Sequence, residues 1–169
     1  MNKLRWLPLL LLFLVMSFSV ADSVMVSAQD GENQIADWTV LIFMAADNNL
    51  ESFALKDIAE LERIGSTDNV NVIVQLDRAE DYVVTVDDWQ DTRRFLIQAG
   101  SDDDVETIES LELENIGETN TGDPATLADF AIWGIENYPA ERYALIVWDH
   151  GGAWLGIATD DSADGDSLK

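Results

Sequence analysis

Cysteine is absent from the 169 residues. With it go disulfides, zinc–thiolate sites and any thiol nucleophile carried by these residues themselves. Positive charge is scarce as well. Nine Lys and Arg stand against 33 Asp and Glu, a formal net charge of −24. Phosphate backbones and anionic membrane surfaces are held through Lys and Arg, so nucleic acid is excluded as a partner. Histidine occurs once, at His150, so every imidazole role falls on that residue. What the chain does have is apolar surface. At 47% apolar residues it can build the core of one ordinary domain, and global disorder is excluded.

The amino-terminal segment reads as an address. Lys3 and Arg5 precede an apolar run from Leu7 to Val20, the length of a signal-peptide core and short for a membrane span of about 20 residues. Ser19-Val20-Ala21 places small residues where a signal peptidase reads, with a second candidate cleavage after Ala28. An uncleaved anchor is the alternative, disfavoured because Asp22 and the polar Gln29 to Asn33 stretch end the apolar segment early. The expected organisation is a signal peptide over 1–21, a linker or propeptide-like segment over 22–36 and the amino-terminal part of one domain over 37–169. After cleavage no stable membrane insertion is expected, and the destination is extracellular or the cell envelope.

Trp38 to Ala45 is nearly continuous in apolar residues, the pattern of a strand buried on both faces. Leu50, Phe53, Ala54, Ile58, Leu61 and Ile64 follow at helical spacing, closed by Gly65. Val70 to Leu76 is the next β-rich run, ending in Asp77-Arg78. This β-α-β order implies parallel pairing. Tyr82 to Val86 and Thr92 to Ile97 read as a hairpin excursion, and the acidic stretch Val105 to Ile116 has no clear assignment. Asp123-Pro124 opens a helix whose inner face carries Leu127, Phe130, Ala131, Gly134 and Tyr138. Ala144 to Trp148 is a third short strand running into Asp149-His150-Gly151-Gly152. The expected fold is an α/β domain with a parallel sheet, incomplete at the carboxyl end because a small sheet would be left with open edges.

Ligands in such sheets sit beyond the carboxyl ends of the strands, where Asp47, Arg78 and His150 are expected as neighbours. His150 suits a general base beside an amide donor for an oxyanion, with Gly151 and Gly152 letting a substrate approach the backbone. A purely structural, hydrogen-bonded strand-end histidine is the alternative. Asp47 to Asn49 most simply cap the first helix, and Arg78 most simply pairs with an acidic neighbour. Asp102 to Asp104 and the Asp160, Asp161, Asp164 and Asp166 cluster offer hard oxygen ligands suited to calcium. Neither has the spacing and glycine of an EF-hand, so both read as solvated loops, and no residue is assigned as a metal ligand.

Three blocks carry a resemblance: Trp38 to Glu51, Gly122 to Phe130 and Tyr143 to Trp154, with Asp77-Arg78 and Thr92-Arg93-Arg94 between them. Together they resemble the clostripain family of cysteine peptidases, from Trp38 to the last residue. The resemblance implies a caspase-like parallel-sheet sandwich with a β-hairpin excursion, and a secreted endopeptidase acting on peptide or protein substrates after Arg or Lys. His150 matches the family's catalytic histidine, and Gly151 the residue whose N–H helps hold the oxyanion. No cofactor is needed for the chemistry, although similar proteins are often calcium-dependent. The family's nucleophilic cysteine follows a further strand beyond the histidine, so these residues hold half of a dyad, as in a truncated record or a short protein that kept the first half of the fold.

Two other readings compete. An exported acidic module, calcium-binding and non-catalytic, would make His150 structural. A serine esterase is suggested by His150-Gly151-Gly152-Ala153-Trp154, but it needs a Gly-x-Ser-x-Gly turn that the sequence lacks.

Overall fold

A computed structural model describes residues 35–79, 82, 89–100 and 107–169. The expected signal peptide and most of the 22–36 segment lie outside the described residues, as do 83–86 of the first hairpin run and Asp102 to Asp104. The elements are β1 (Ala36–Ala46), α1 (Glu51–Glu62), β2 (Val70–Arg78), β3 (Thr92–Leu96), β4 (Leu111–Gly117), α2 (Pro124–Asn137), β5 (Ala140–Trp148), β6 (Ile157–Asp160) and β7 (Asp166–Leu168).

Strand β1 is the axis of the molecule. It pairs in parallel with β2 on one side and β5 on the other, in a five-stranded sheet ordered β4-β3-β2-β1-β5. Its near-continuous apolar run serves both faces, because alternate residues point to opposite sides. Leu41, Phe43 and Ala45 pack with Ile73 and Phe130 on the α2 side. Ile42, Met44 and Ala46 pack with Ala54, Leu55, Ile58, Val74 and Leu76 on the α1 side. Each such buried Leu, Ile or Phe contributes about 1.5–3 kcal/mol.

The two helices start and stop for different reasons. Asp123 caps α2 through Oδ1, which accepts from Ala125 N at 2.9 Å, and Pro124 follows. Gly134 brings α2 onto the sheet: a Cβ there would lie 2.4 Å from Leu41 Cδ2. On α1 the buried stripe is Glu51, Ala54, Leu55, Ile58, Ala59 and Glu62, rotated from the face expected above, and Phe53 and Ile64 are exposed. Two buried acids account for the rotation. Glu51 accepts from Arg78 Nε at 2.6 Å and Glu62 from Ser110 N at 2.7 Å. Gly65, at φ +70°, turns the chain out of α1 with Ala99 N too close for a side chain.

The sheet is mixed. β3 runs antiparallel to β2 and to β4, so the excursion is built from Thr92–Leu96 and the acidic stretch that the sequence left unassigned. That stretch becomes a strand because its acids face arginines across the ladder: Arg93 Nη1 to Glu112 Oε2 at 3.1 Å and Arg94 Nη1 to Glu114 Oε2 at 2.9 Å. The polar tract from Thr159 to Asp166 is likewise no plain loop but the tip of the β6–β7 hairpin, whose Asp161 N donates to Asp47 O at 2.8 Å. β5 is an edge strand with Tyr143, Leu145 and Ile146 exposed.

Candidate active site at the carboxyl ends of β1 and β5

After β1 the chain crosses to β2 on one side, and it later returns to β5 on the other. The carboxyl ends of β1 and β5 therefore frame the point where the winding reverses, the place where open α/β sheets bind ligands. Asp47, Asn48 and Asn49 leave β1 there, and Asp149, His150 and Gly151 leave β5. The sequence puts polar residues at both exits because backbone beyond a sheet's edge needs partners that a strand no longer supplies.

Asn48 stitches the two exits together. Its buried Nδ2 donates to Ala45 O, Asp149 Oδ1 and Thr159 O at 2.9–3.0 Å, and its Oδ1 accepts from Leu50 N at 2.9 Å. Asp149 Oδ2 accepts from Thr159 N. Asp149 is thus spent on the scaffold and does not orient the imidazole. The expected cap of α1 differs in detail: Leu50 occupies the cap position with no side-chain bond, and the Asp47–Asn49 segment faces the site instead.

His150 is exposed, just past the carboxyl end of β5. Its Nε2 lies 3.1 Å from Asn49 Oδ1. An amide oxygen only accepts, so this contact is a hydrogen bond when Nε2 carries the proton, which leaves Nδ1 with the lone pair of a base. Beside the ring, Gly151 is exposed and nothing lies within 4 Å of where its Cβ would be. Among the described residues its N–H has no acceptor, whereas the next amide, Gly152 N, donates to Gly156 O at 2.8 Å. A cavity of about 190 Å³ opens between His150, Gly152, Leu155, Thr159 and Ser167. A base and an unspent amide donor at the mouth of a cavity are the parts that acyl transfer requires.

Arg78 ends β2 but turns away from this cavity. It is buried on Glu51 and stacked 4.8 Å from the Trp89 ring, the structural pairing expected for it. Asp47 has moved into a group that sequence reasoning did not assemble. Carboxylate oxygens of Asp47, Asp77, Glu118 and Asp160 lie within 4.8 Å of one another, drawn from the exit of β1, the end of β2, the turn after β4 and the end of β6. Only Asp160 belonged to a cluster visible in the sequence, since the others are 30 or more positions apart and meet through strand pairing.

Burial, followed by the charges of Glu118, Asp160 and Asp47, pushes the Asp77 carboxyl up to about 8 against the hydrogen bond from Thr92. Burial likewise raises Asp47, with Asp160 adding to it. Glu118 is exposed, yet a carboxylate oxygen of it lies within 4.8 Å of the buried three. Burial and then Asp47, Asp160 and Asp91 raise it to about 7. One oxygen, Asp77 Oδ2, is buried with no hydrogen-bond partner. An acidic group in this state suits a hard cation such as calcium.

Known proteins align with this architecture. The profile of the clostripain family matches residues 42–168. Clostripain of Hathewaya histolytica is 33% identical over 136 residues, covering 75% of this chain but 26% of its own length. A cysteine protease of B. fragilis superposes with a TM-score of 0.52 at 25% identity, over 71% of this chain and 93% of its own. A clostripain from Bacteroides thetaiotaomicron ATCC 29148, solved with a peptide inhibitor, superposes at 0.55 with 15% identity, over 71% and 95% of the two chains. A secreted cysteine protease of the same bacterium, solved with an irreversible peptide inhibitor, superposes at 0.54 with 21% identity, over 70% and 31%. The caspase-like α/β fold is shared with these structures.

Proposed function

Because the chain belongs to the clostripain family of cysteine peptidases, we propose that it is the histidine-bearing part of an exported endopeptidase that cleaves after Arg or Lys. His150 serves as the catalytic histidine and the Gly151 N–H as an oxyanion donor. The chain spans about a quarter of its clostripain relative and holds no cysteine, so the thiol comes from polypeptide outside these residues. The observation that carries the reading is the pairing of a solvent-facing imidazole with an unspent amide at the reversal point of the sheet.

The chemistry follows from those two groups. A cysteine thiol of ordinary pKa, about 8.5, is only a few per cent ionised at neutral pH. His150 Nδ1 takes the thiol proton, the sulfur attacks the substrate carbonyl carbon, and the carbonyl oxygen gains the negative charge that Gly151 N–H stabilises. The C–N bond then breaks and the imidazolium protonates the departing amine. Water, deprotonated by the same ring, cleaves the thioester to release the acid and restore the thiol. Specificity for Arg or Lys and export through residues 1–21 rest on the family resemblance and the amino-terminal pattern. Among the described residues no helix is long and apolar enough to cross a membrane.

The test is to express the reading frame through to its next stop codon and assay arginyl and lysyl amide hydrolysis. Activity in that polypeptide, abolished by His150→Ala with unchanged thermal unfolding, supports the assignment. Full turnover in His150→Ala removes the base.

A further inference from the structure

We propose that the hollow beside His150 receives the side chain of the substrate residue that follows the scissile bond, and that it selects an uncharged aliphatic side chain with Leu155 as its wall. The inference rests on the proteolytic reading above. The hollow encloses about 190 Å³, with His150, Gly151, Leu155, Thr159 and Ser167 in its lining. The chemistry of the ring decides which part of the substrate lies there. The imidazolium gives its proton to the departing amine, so that nitrogen stands within about 2.6–3.2 Å of the ring. Its Cα is one bond further, and the side chain on that Cα reaches the hollow that the ring itself lines. Gly151 N–H, in the same lining, holds the carbonyl oxygen at the other end of the scissile bond.

The loop that carries Leu155 is closed on its own backbone. Gly152 N donates to Gly156 O at 2.8 Å, Leu155 N donates to Gly152 O at 3.0 Å, and Gly151 bridges Ile157. Closing it takes Ala153 at φ +53° and Gly156 at φ +139°, the first in a region that a residue with a Cβ rarely adopts. A Cβ at Gly156 would lie 2.7 Å from Ser167 Oγ, so glycine is what lets the loop meet β7. This construction turns two large apolar side chains outward, Trp154 at 90% exposure and Leu155 at 69%. Neither joins the core, and both follow the oxyanion donor within four positions. Strained backbone of this kind persists where it serves a site.

Size and charge name the occupant. An apolar cavity of about 150 Å³ takes a benzene ring, so 190 Å³ accommodates a leucine side chain. Among the described residues, no Asp, Glu, Lys or Arg lines the hollow, so a charged side chain would enter without a counter-charge. An acidic one is also repelled by a chain of formal charge −24. Leucine and its aliphatic relatives lose no such solvation and gain contact with Leu155.

The test uses the polypeptide read through to its next stop codon and peptides that carry Arg before the scissile bond. With Leu after the bond, kcat/KM should be at least about tenfold higher than with Gly, and with Asp it should be lower still. Leu155→Ala should bring the Leu-to-Gly ratio close to one. Leu155→Trp fills the hollow and should reverse the preference in favour of Gly. Both variants should melt as the parent does, since Leu155 is exposed. Ile64→Ala, at a comparably exposed apolar side chain beyond α1, should keep the parent ratio. A parent with no preference for Leu over Gly overturns the pocket. So do unchanged ratios in both Leu155 variants, the result expected if polypeptide beyond Lys169 fills the hollow instead. Absence of turnover on every arginyl and lysyl substrate is a failure of the proteolytic reading, and binding then decides for the hollow. Leucinamide added to the 169-residue chain should move the Leu155 methyl and His150 ring resonances, whereas glycinamide should not, and equal responses to the two overturn the pocket.

Discussion

His150 Nε2 and Asn49 Oδ1 meet at 3.1 Å across the gap between the carboxyl ends of β5 and β1, 101 positions apart in sequence. An acceptor on that side selects the tautomer with Nε2 protonated, so Asn49 is a positioning residue for the imidazole. Asn49→Ala is expected to leave folding unchanged, because the side chain is exposed, and to shift the ring toward a tautomer mixture seen by nitrogen NMR. With His150 as the base proposed above, the same change in the longer polypeptide should lower kcat by up to about 100-fold with KM nearly constant. A parent-like tautomer in Asn49→Ala would dismiss the role.

Gly134 and Gly151 should respond oppositely to the same added methyl group. Gly134→Ala drives a Cβ to 2.4 Å from Leu41 Cδ2, so α2 must lift from β1 at a cost of about 1–3 kcal/mol in urea unfolding. Gly151→Ala meets nothing within 4 Å and should change stability by less than about 0.5 kcal/mol. Equal losses at the two positions would show that the packing of α2 on Leu41 is not as described.

The elements that the sequence announced are those whose cause is local. The nearly continuous apolar run of β1 marks a doubly covered strand, and Asp123-Pro124 marks a helix opening. The place of His150 just past a strand was legible for the same reason, since Ala144 to Trp148 runs into it and two glycines follow. β4 was not, because Glu112 and Glu114 become strand residues only opposite Arg93 and Arg94 of β3. The rotation of α1's buried face was hidden likewise, since Glu51 and Glu62 look like surface acids until Arg78 and Ser110 N are brought to them. The carboxylate group failed to show for a stronger version of that reason: its four members come from four separate elements.

The Arg78–Glu51 pair is buried on both sides, at 2% and 0% side-chain exposure, so neutralising Glu51 takes a direct charge partner from a guanidinium held in a low-dielectric interior. Glu51→Gln is expected to cost about 3–5 kcal/mol of unfolding free energy. The comparison is Glu60→Gln, whose partner Arg63 lies 3.7 Å away at 56% exposure. Solvent screening should hold that loss below about 1 kcal/mol. If the two substitutions cost the same, burial of the first pair contributes nothing.

Stability should fall as the pH rises. Asp77 titrates near 8 in the folded protein against 3.8 when exposed, and Glu118 near 7 against 4.5. A carboxyl raised in the folded state holds a proton that the unfolded chain releases, so its contribution is fully present below the unfolded value and is lost as the pH climbs through the folded one. For Asp77 that window runs from about 4 to 8, and for Glu118 from about 4.5 to 7. The urea midpoint should therefore decline between roughly pH 5 and pH 8 as these protons leave. General repulsion in so acidic a chain pushes the same way, so the discriminating comparison is Asp77→Asn, which cannot ionise. Its decline should be visibly shallower than the parent's, and at the alkaline end it should be the more stable of the two. Parallel curves for parent and variant would mean that Asp77 ionises normally, and that its unpartnered oxygen costs the fold little.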